Sequence, residues 1–159
     1  MKKFELTSET KINIFGKKLF RIKALVSFGV VKTGETGGWV EKEENVNQSG
    51  DAWVFGNAEV FGNARVSGDA RVFGNAEVSG NAEVSGNADY TTIHGFGTQF
   101  RTTTFFRCKD KQVKVSCGCF YGTIPEFREQ VKNTRDGKIA EEYLMIADLM
   151  EKHFAEEAK

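Results

Sequence analysis

Apolar and polar positions recur every six residues, without a break, from Gln48 to Asp89. Gly stands at 50, 56, 62, 68, 74, 80 and 86; Asn or Asp follows each Gly, Ala follows each of those, and Val opens six of the seven units. Such a period takes precedence over any other reading of the segment. Gly-Asn and Gly-Asp are turn dipeptides, because both residues tolerate positive φ. The four residues between turns make a short extended side, in which alternate residues share a face. Ala and Val therefore point inward, and the Glu/Arg and Phe/Ser positions point outward. A six-residue side with a tight corner predicts a three-sided prism, so that three hexads, 18 residues, complete one coil.

The columns at that spacing agree. Phe55 falls over Phe73 and Ser67 over Ser85, while Arg65 over Glu83 and Arg71 over Asp89 are opposite charges on neighbouring strands. Glu59 over Glu77 is the one unfavourable pair. At ~4.8 Å per coil the seven hexads make a stub of little more than two coils, which needs its flanking segments, or other subunits, for stability. Tyr90 stands where the next Val would fall and is too large for the interior, so regular coiling is expected to stop there.

The flanks read differently. Phe4–Thr7 and Lys11–Phe15 alternate apolar with polar residues, Gly16–Lys18 makes a turn, and Leu19–Val26 continues the strand pattern. This hairpin region is expected to cap the first coil, with Gly34–Gly38 as a loop and Trp39 plugging the mouth of the prism. Residues 90–121 form a second strand region, with strands over Thr102–Arg107 and Gln112–Cys117. Pro125 then marks a helix start, Glu126 and Glu129 occupy the first turn, and Asp136-Gly137 closes a helix that runs to about Asn133. A second helix from Lys138 to about Phe154 carries Ile139, Tyr143, Ile146, Met150 and Phe154 on one stripe. The predicted architecture is mainly β with C-terminal α: a strand cap (1–47), a repeat prism (48–89), and a strand and two-helix region (90–159).

The hexads resemble those of left-handed parallel β-helices, the fold of hexapeptide acyltransferases and γ-class carbonic anhydrases; the hand comes from that resemblance. Those enzymes usually place the turn Gly directly after the aliphatic residue, whereas Phe or Ser intervenes here. The chain more closely resembles small phage and prophage hexapeptide-repeat proteins. It matches their leader signature at Gly37-Gly38-Trp39-Val40-Glu41-Lys42-Glu43 and their tail motif at Cys117-Gly118-Cys119-Phe120-Tyr121-Gly122-Thr123. The resemblance implies fold and origin, with a setting in the host cytoplasm, and brings no common activity with it.

Charge and composition narrow the chemistry. The net charge is zero, so no global field steers the chain to nucleic acid or membrane. The charge is segregated: residues 1–34 hold eight Lys/Arg and two acids, 35–89 three and ten, 90–121 five and one, and 122–159 six and nine. Such blocks are suited to pair with one another across the fold or between subunits. Three Cys, with no signal peptide and no long apolar run, predict a reducing, cytoplasmic setting.

Two His, His94 and His153, do not supply the three-His set of a hydratase, and the prism is too short for an acyl carrier arm. Cys108, Cys117 and Cys119 with His94 have the wrong spacing for a zinc knuckle, and the cysteines read as small, buried apolar residues at a strand-to-helix junction. No catalytic residue, cofactor or metal is expected. Two binding surfaces are. The outward strip Trp53, Phe55, Arg71 and Phe73, with Phe61 on the next side, is expected to be covered by the chain itself, by a second or third copy (dimer or trimer), or by a host protein. The basic, aromatic stretch Arg101, Phe105, Arg107, Lys109, Lys111 and Lys114 is a nucleotide or nucleic-acid candidate. The leading expectation is a non-enzymatic phage-type scaffold that binds, and so inhibits, a host factor or an antiviral defence complex; nucleotide or nucleic-acid sequestration is one alternative, and a residual hexapeptide-type acyltransferase with His94 as its general base is the other.

Overall fold

A computed structural model describes residues 2–155. The chain is mainly β with two C-terminal helices, and its sheets are mixed. Strands β1 (Phe4–Ile12) and β2 (Lys18–Ala24) form an antiparallel hairpin, and β2 pairs antiparallel with β3 (Thr36–Val40). Each hexad then gives a two-residue strand: β4 (Trp53–Val54), β5 (Glu59–Val60), β6 (Arg65–Val66), β7 (Arg71–Val72), β8 (Glu77–Val78) and β9 (Glu83–Val84). Strands three hexads apart pair parallel, with Val54 beside Val72, Val60 beside Val78 and Val66 beside Val84. Every inward Ala and Val from Ala52 to Val84 is buried in one core, whereas Ala88 lies exposed in the 3-10 turn Asn87–Asp89 that ends the repeat.

Two expectations for the leader need correction. Gly34–Gly38 is not a loop throughout: Gly37 and Gly38 lie in β3, which pairs parallel with β5. A Cβ on Gly37 would strike Val54 O and the Trp53 and Ile22 side chains, and one on Gly38 would strike Val54 and Ala58 O. The glycine pair lets this strand approach the repeat backbone closely. Trp39 does not plug the interior. It takes the outward place beside Glu59, while Val40 takes the inward place beside Val60. Val46 bridges Val66 in parallel on the next side, so the stack begins at Trp39–Val40, ahead of the regular repeat. Phe4, Ile22, Ala24 and Val31 from the leader complete its core.

The end of the repeat follows expectation. Tyr90 opens strand β10 (Tyr90–Phe96), is buried in the same core as the hexads, and its hydroxyl donates to Arg71 O. Strands β10, β11 (Arg101–Arg107), β12 (Val113–Cys117) and β13 (Phe120–Thr123) form an antiparallel sheet. Alternation along it separates two faces. Ile93, Phe105, Val115 and Phe120 pack with the helices, whereas Tyr90 and Phe106 pack with the repeat. A sheet buried on both faces explains the adjacent Phe105-Phe106 pair. Helices α1 (Ile124–Thr134) and α2 (Gly137–Phe154) lie on the far side. Thr123 and Glu126 form a reciprocal cap at the start of α1, with Pro125 in its first turn. Tyr143, Ile146, Met150 and Phe154 bury the expected stripe of α2.

Candidate functional site

The apolar strip is largely covered by the chain itself. Trp53 is 1% exposed, met edge-on by Phe4 at 5.8 Å and Phe28 at 5.2 Å between ring centroids. Phe55 is half-buried against the same core. Phe61, 5% exposed, packs with Leu19, Trp39 and Phe15 under the hairpin. Lys11 and Arg21 stack on the Trp39 ring at 4.7 and 4.4 Å. Only Arg71 and Phe73 of the strip remain exposed, Phe73 at 58%. Trp53 and Phe61 thus belong to the fold, not to an open partner face, because a single hairpin covers two sides of the stack.

The unfavourable Glu59–Glu77 pair is where both termini converge. Glu59 accepts from Lys11 Nζ at 2.9 Å and Asn13 Nδ2 at 3.2 Å, and Glu77 accepts from Ser116 Oγ at 3.1 Å. Thr104 Oγ1 accepts from the Glu77 backbone N–H at 3.0 Å. Burial, reinforced by the neighbouring Glu59, holds the Glu77 carboxyl above its ordinary value. The second side is therefore closed as well.

The third side stays open, as the floor of a groove of about 590 Å³. Arg65, Ser67, Glu83 and Ser85 form this floor. One wall is the short 3-10 turn Glu43–Asn45. Buried Asn45 fixes it: its Oδ1 accepts from Glu41 N (3.1 Å) and Lys42 N (2.9 Å), and its Nδ2 donates to Gly62 O (3.2 Å) and Ala64 O (2.8 Å). That anchorage holds Glu43 and Glu44 at the rim. The opposite wall is the Cys108–Gln112 loop. Cys108 bridges Ala82, Lys109 N donates to Asn81 O at 2.9 Å, and Lys111 N donates to Cys108 O at 2.9 Å. Lys111 adopts φ +72°, which non-glycine residues take up rarely.

Charge alternates across the groove, from Glu43 and Glu44 on the leader wall to Arg65 on the next strand, Glu83 on the strand after it, and Lys109 and Lys111 on the loop wall. Arg107 stands behind the loop wall, 3.3 Å from Asp89, with its guanidinium 5.4 Å from the Phe154 ring centre. Arg65, Lys109 and Lys111 form no ion pair among the described residues. A second, polar hollow shares Arg65, Glu83, Glu44 and Lys109 and extends the groove along the floor.

Of the basic stretch singled out in the sequence, Arg107, Lys109 and Lys111 meet in this groove. Three others do not, which corrects the stretch as a single surface. Phe105 is buried beneath α1, edge-on to Phe127. Lys114 lies on the opposite sheet face over the Tyr121 ring, at 5.8 Å. Arg101 lies in another hollow, with Arg135 and Tyr143. Strand alternation sends these side chains to different faces, whereas the loop after β11 is free to aim two lysines together. The partners that sequence reasoning missed are Glu43, Glu44 and Glu83. The acidic block 35–89 was their signal, but only the fold shows which carboxylates face the lysines.

The reactive groups are dispersed. Cys108 lines the groove, but burial pushes its thiol up to about 11, so it stays protonated at neutral pH. Burial of all three cysteines needs correction: Cys117 is half-buried, accepting from Thr103 Oγ1 at 3.2 Å on the helix face, and Cys119 is exposed because it falls in the turn that follows. Gly118, at φ +59°, reverses the chain between them, so the two thiols do not share one strand face as alternation implies. His94 Nδ1 lies 2.8 Å from Thr102 Oγ1 on an exposed strand, away from the groove. No group of His, Cys, Asp and Glu suited to a metal ion forms among the described residues. No helix among them is long and apolar enough to cross a membrane. Neither a protein-family model nor a curated protein matches the chain.

Proposed function

We propose that this chain is a non-enzymatic accessory protein of the phage hexapeptide-repeat kind, built on a short left-handed parallel β-helix, and that it works by binding. Its ligand is an anion of nucleotide size held in the third-side groove. One observation carries the reading: Arg65, Lys109 and Lys111, none of them in an ion pair among the described residues, converge with Arg107 on one concave surface of about 590 Å³. That volume lies within the ~300–1,000 Å³ of small-molecule sites. Both walls are pinned to the repeat, the loop wall by the Cys108–Ala82 backbone bridge and the leader wall by the Val46–Val66 bridge and the Asn45 side chain, so little ordering is required on binding. The three-hexad spacing of the parallel strands supports the β-helix reading. Sequestration of a nucleotide that a host factor or defence complex needs would give such a protein its effect in the host cytoplasm.

Thermal unfolding with ATP, ADP, AMP and tripolyphosphate tests this. At a ligand concentration 100-fold above Kd the native state gains ~2.7 kcal/mol, and a chain of this size then gains roughly 5–11 °C in Tm. Lys109→Ala with Lys111→Ala should abolish the shift. Absence of a shift, and of binding heat, for the whole panel would overturn the proposal.

A second reading retains one observation from the apolar strip. Phe73, exposed beside Arg71, borders a shallow hollow with Asn87, Tyr90 and Thr92. A host protein, or a second or third copy of the chain, would seat there. Light scattering of the wild type and Phe73→Asp checks it: identical masses and unchanged partner capture would remove this reading.

A further inference from the structure

Much of the tail motif, Cys117-Gly118-Cys119-Phe120-Tyr121, lines a hollow of about 400 Å³ that shares no residue with the third-side groove. The hollow opens at one end of the C-terminal sheet, where the turn between β12 and β13 lies opposite the last turn of α1. Strand alternation puts Arg101 of β11 on the helix face, with Thr103 and Phe105. Arg135, the residue that ends α1, reaches the same hollow. A Cβ on Gly118 would stand 2.5 Å from Arg101 Nη1, so the glycine lets this guanidinium lie against the turn backbone.

Its charge has one sign. Among the described residues no Asp or Glu lines it, and Arg101 and Arg135 are exposed and enter no ion pair. Glu77, whose carboxyl feels Arg101, lies on the other face of the sheet and is engaged by Ser116. Two carbonyls at the end of α1 are also taken: Gln130 O accepts from Thr134 Oγ1 at 2.6 Å, and Val131 O from Arg135 N at 2.8 Å. Tyr143, 4% exposed, brings its hydroxyl into the hollow beside Gly97 and the Cys117 thiol, a weak hydrogen-bond partner. Burial, with Cys117 beside it, holds this phenol above its ordinary value, while the charges of Arg135 and Arg101 pull it down, so both cations act at the hydroxyl. Phe120 and Tyr121, each partly exposed, add ring surface to the walls.

A guanidinium presents parallel N–H donors that match a carboxylate in two-point contact. Inorganic phosphate finds the same donors but nothing for the rings, whereas a carboxylate carried on an apolar body uses both. We infer that this hollow binds a small organic carboxylate with an aromatic or aliphatic body: Arg101 and Arg135 hold the carboxylate, Tyr143 donates to it, and Phe120 and Tyr121 flank the body. The volume is that of a small-molecule site. This site is separate from the third-side groove, and neither depends on the other.

Phenylacetate is the probe, with phenylacetamide, acetate and inorganic phosphate as controls. Calorimetry on the full chain should show phenylacetate binding at least about tenfold tighter than each control, as charge-assisted hydrogen bonds to a seated anion imply. Arg101→Gln with Arg135→Gln, both at exposed positions, should remove the preference for acid over amide at an unchanged Tm. Tyr143→Phe should weaken the acid roughly fivefold, the loss of one hydrogen bond, and Lys109→Ala with Lys111→Ala should leave it as tight as before. Saturating phenylacetate should also slow alkylation of the exposed Cys119 by iodoacetamide, read by peptide mass. Equal binding of acid and amide, or a preference that survives loss of both arginines, would overturn the inference. Phosphate binding as tight as phenylacetate would overturn the organic class in favour of an inorganic anion. An unprotected Cys119, or binding lost in the lysine variant, would place the anion elsewhere and overturn the site, as would no binding of any probe.

Discussion

Asn45 joins fold and groove, and its removal has a calculable cost. The side chain is fully buried and makes four hydrogen bonds, two accepted from the backbone of Glu41 and Lys42 and two donated to Gly62 O and Ala64 O. Glu41 N keeps a second partner in Val60 O at 3.2 Å, so in Asn45→Ala the Lys42 N–H and the two carbonyls bear the loss. At ~1 kcal/mol net per hydrogen bond, with more for a buried group left unpaired, the variant should lose about 3–4 kcal/mol. For a chain of this length that lowers Tm by roughly 6–16 °C. Urea unfolding should show a lower midpoint at an unchanged slope, since the surface exposed on unfolding is the same. Asn45→Asp gives a further check. It keeps both acceptors but turns a carboxylate toward two carbonyl oxygens, which raises its folded pKa above the unfolded ~3.9. The folded state then holds the proton more tightly, so the variant should recover stability relative to wild type as pH falls from 7 to 4. A loss below ~1 kcal/mol in Asn45→Ala, or no recovery in acid for Asn45→Asp, would show that the turn is not anchored in this way.

Further outcomes follow from other contacts. Trp53→Ala should cost ~3–5 kcal/mol, as for a buried aromatic ring, while Phe73→Ala should stay within about 0.5 kcal/mol; chemical denaturation of the pair separates a core residue from a surface one. Gly68 and Gly74 both adopt positive φ, at 62° and 71°, but a Cβ on Gly68 would collide with Ser85 O, whereas one on Gly74 meets nothing within 4 Å. Gly74→Ala should therefore cost only the ~1–2 kcal/mol of the left-handed backbone and Gly68→Ala distinctly more; equal losses would refute the close stacking. Lys3 is buried over the end of the stack, donating to Ala52 O at 2.7 Å and Gly50 O at 3.2 Å, and burial lowers its pKa to about 8. Between pH 8 and the unfolded value near 10.4 the unfolded chain holds the extra proton, so Lys3 contributes a stability that rises with pH across this window. The raised Cys108 thiol acts in the opposite direction there, so the Lys3 contribution is read as the difference between wild type and Lys3→Met; parallel pH curves would refute it.

The repeat, the two helices and the halt at Tyr90 were legible because each rests on local periodicity. The hexad names its corners and inward residues, and the 18-residue columns pair as their spacing predicts from Trp53 to Val84. The expected Arg71–Asp89 pair does not form: Asp89 lies in a 3-10 turn and meets Arg107 instead. Legibility ended where an outward residue depends on what distant chain covers it. Trp53 and Phe61 read as an exposed strip until Phe4, Phe28 and Leu19 came to lie over them, from segments 25 to 49 residues away in sequence. Gly37-Gly38 read as a loop because glycine marks turns as well as close approaches, and the sequence does not distinguish the two. Strands β10 and β13 were missed as separate elements, since Thr, His and Gly dilute the alternation in one and the other is only four residues long. The groove was half visible: its lysines stood out as a cluster, but Arg65, Glu44 and Glu83 joined them only through the folding of the repeat.

The attachment of the C-terminal sheet to particular sides of the stack limits how this gene can change in length. Ala82 bridges Cys108 on one side, and Glu77 meets Thr104 and Ser116 on another. Tandem repeats usually expand and contract one unit at a time. Here the gain or loss of one hexad would carry everything after it round to the next side, separating the lysine loop from the acidic turn and burying or baring the wrong faces. Duplication of three hexads together would restore every docking contact one layer further along. Natural length variants that keep the groove should therefore differ by multiples of 18 residues, and single-hexad variants should survive only where the tail has been rebuilt.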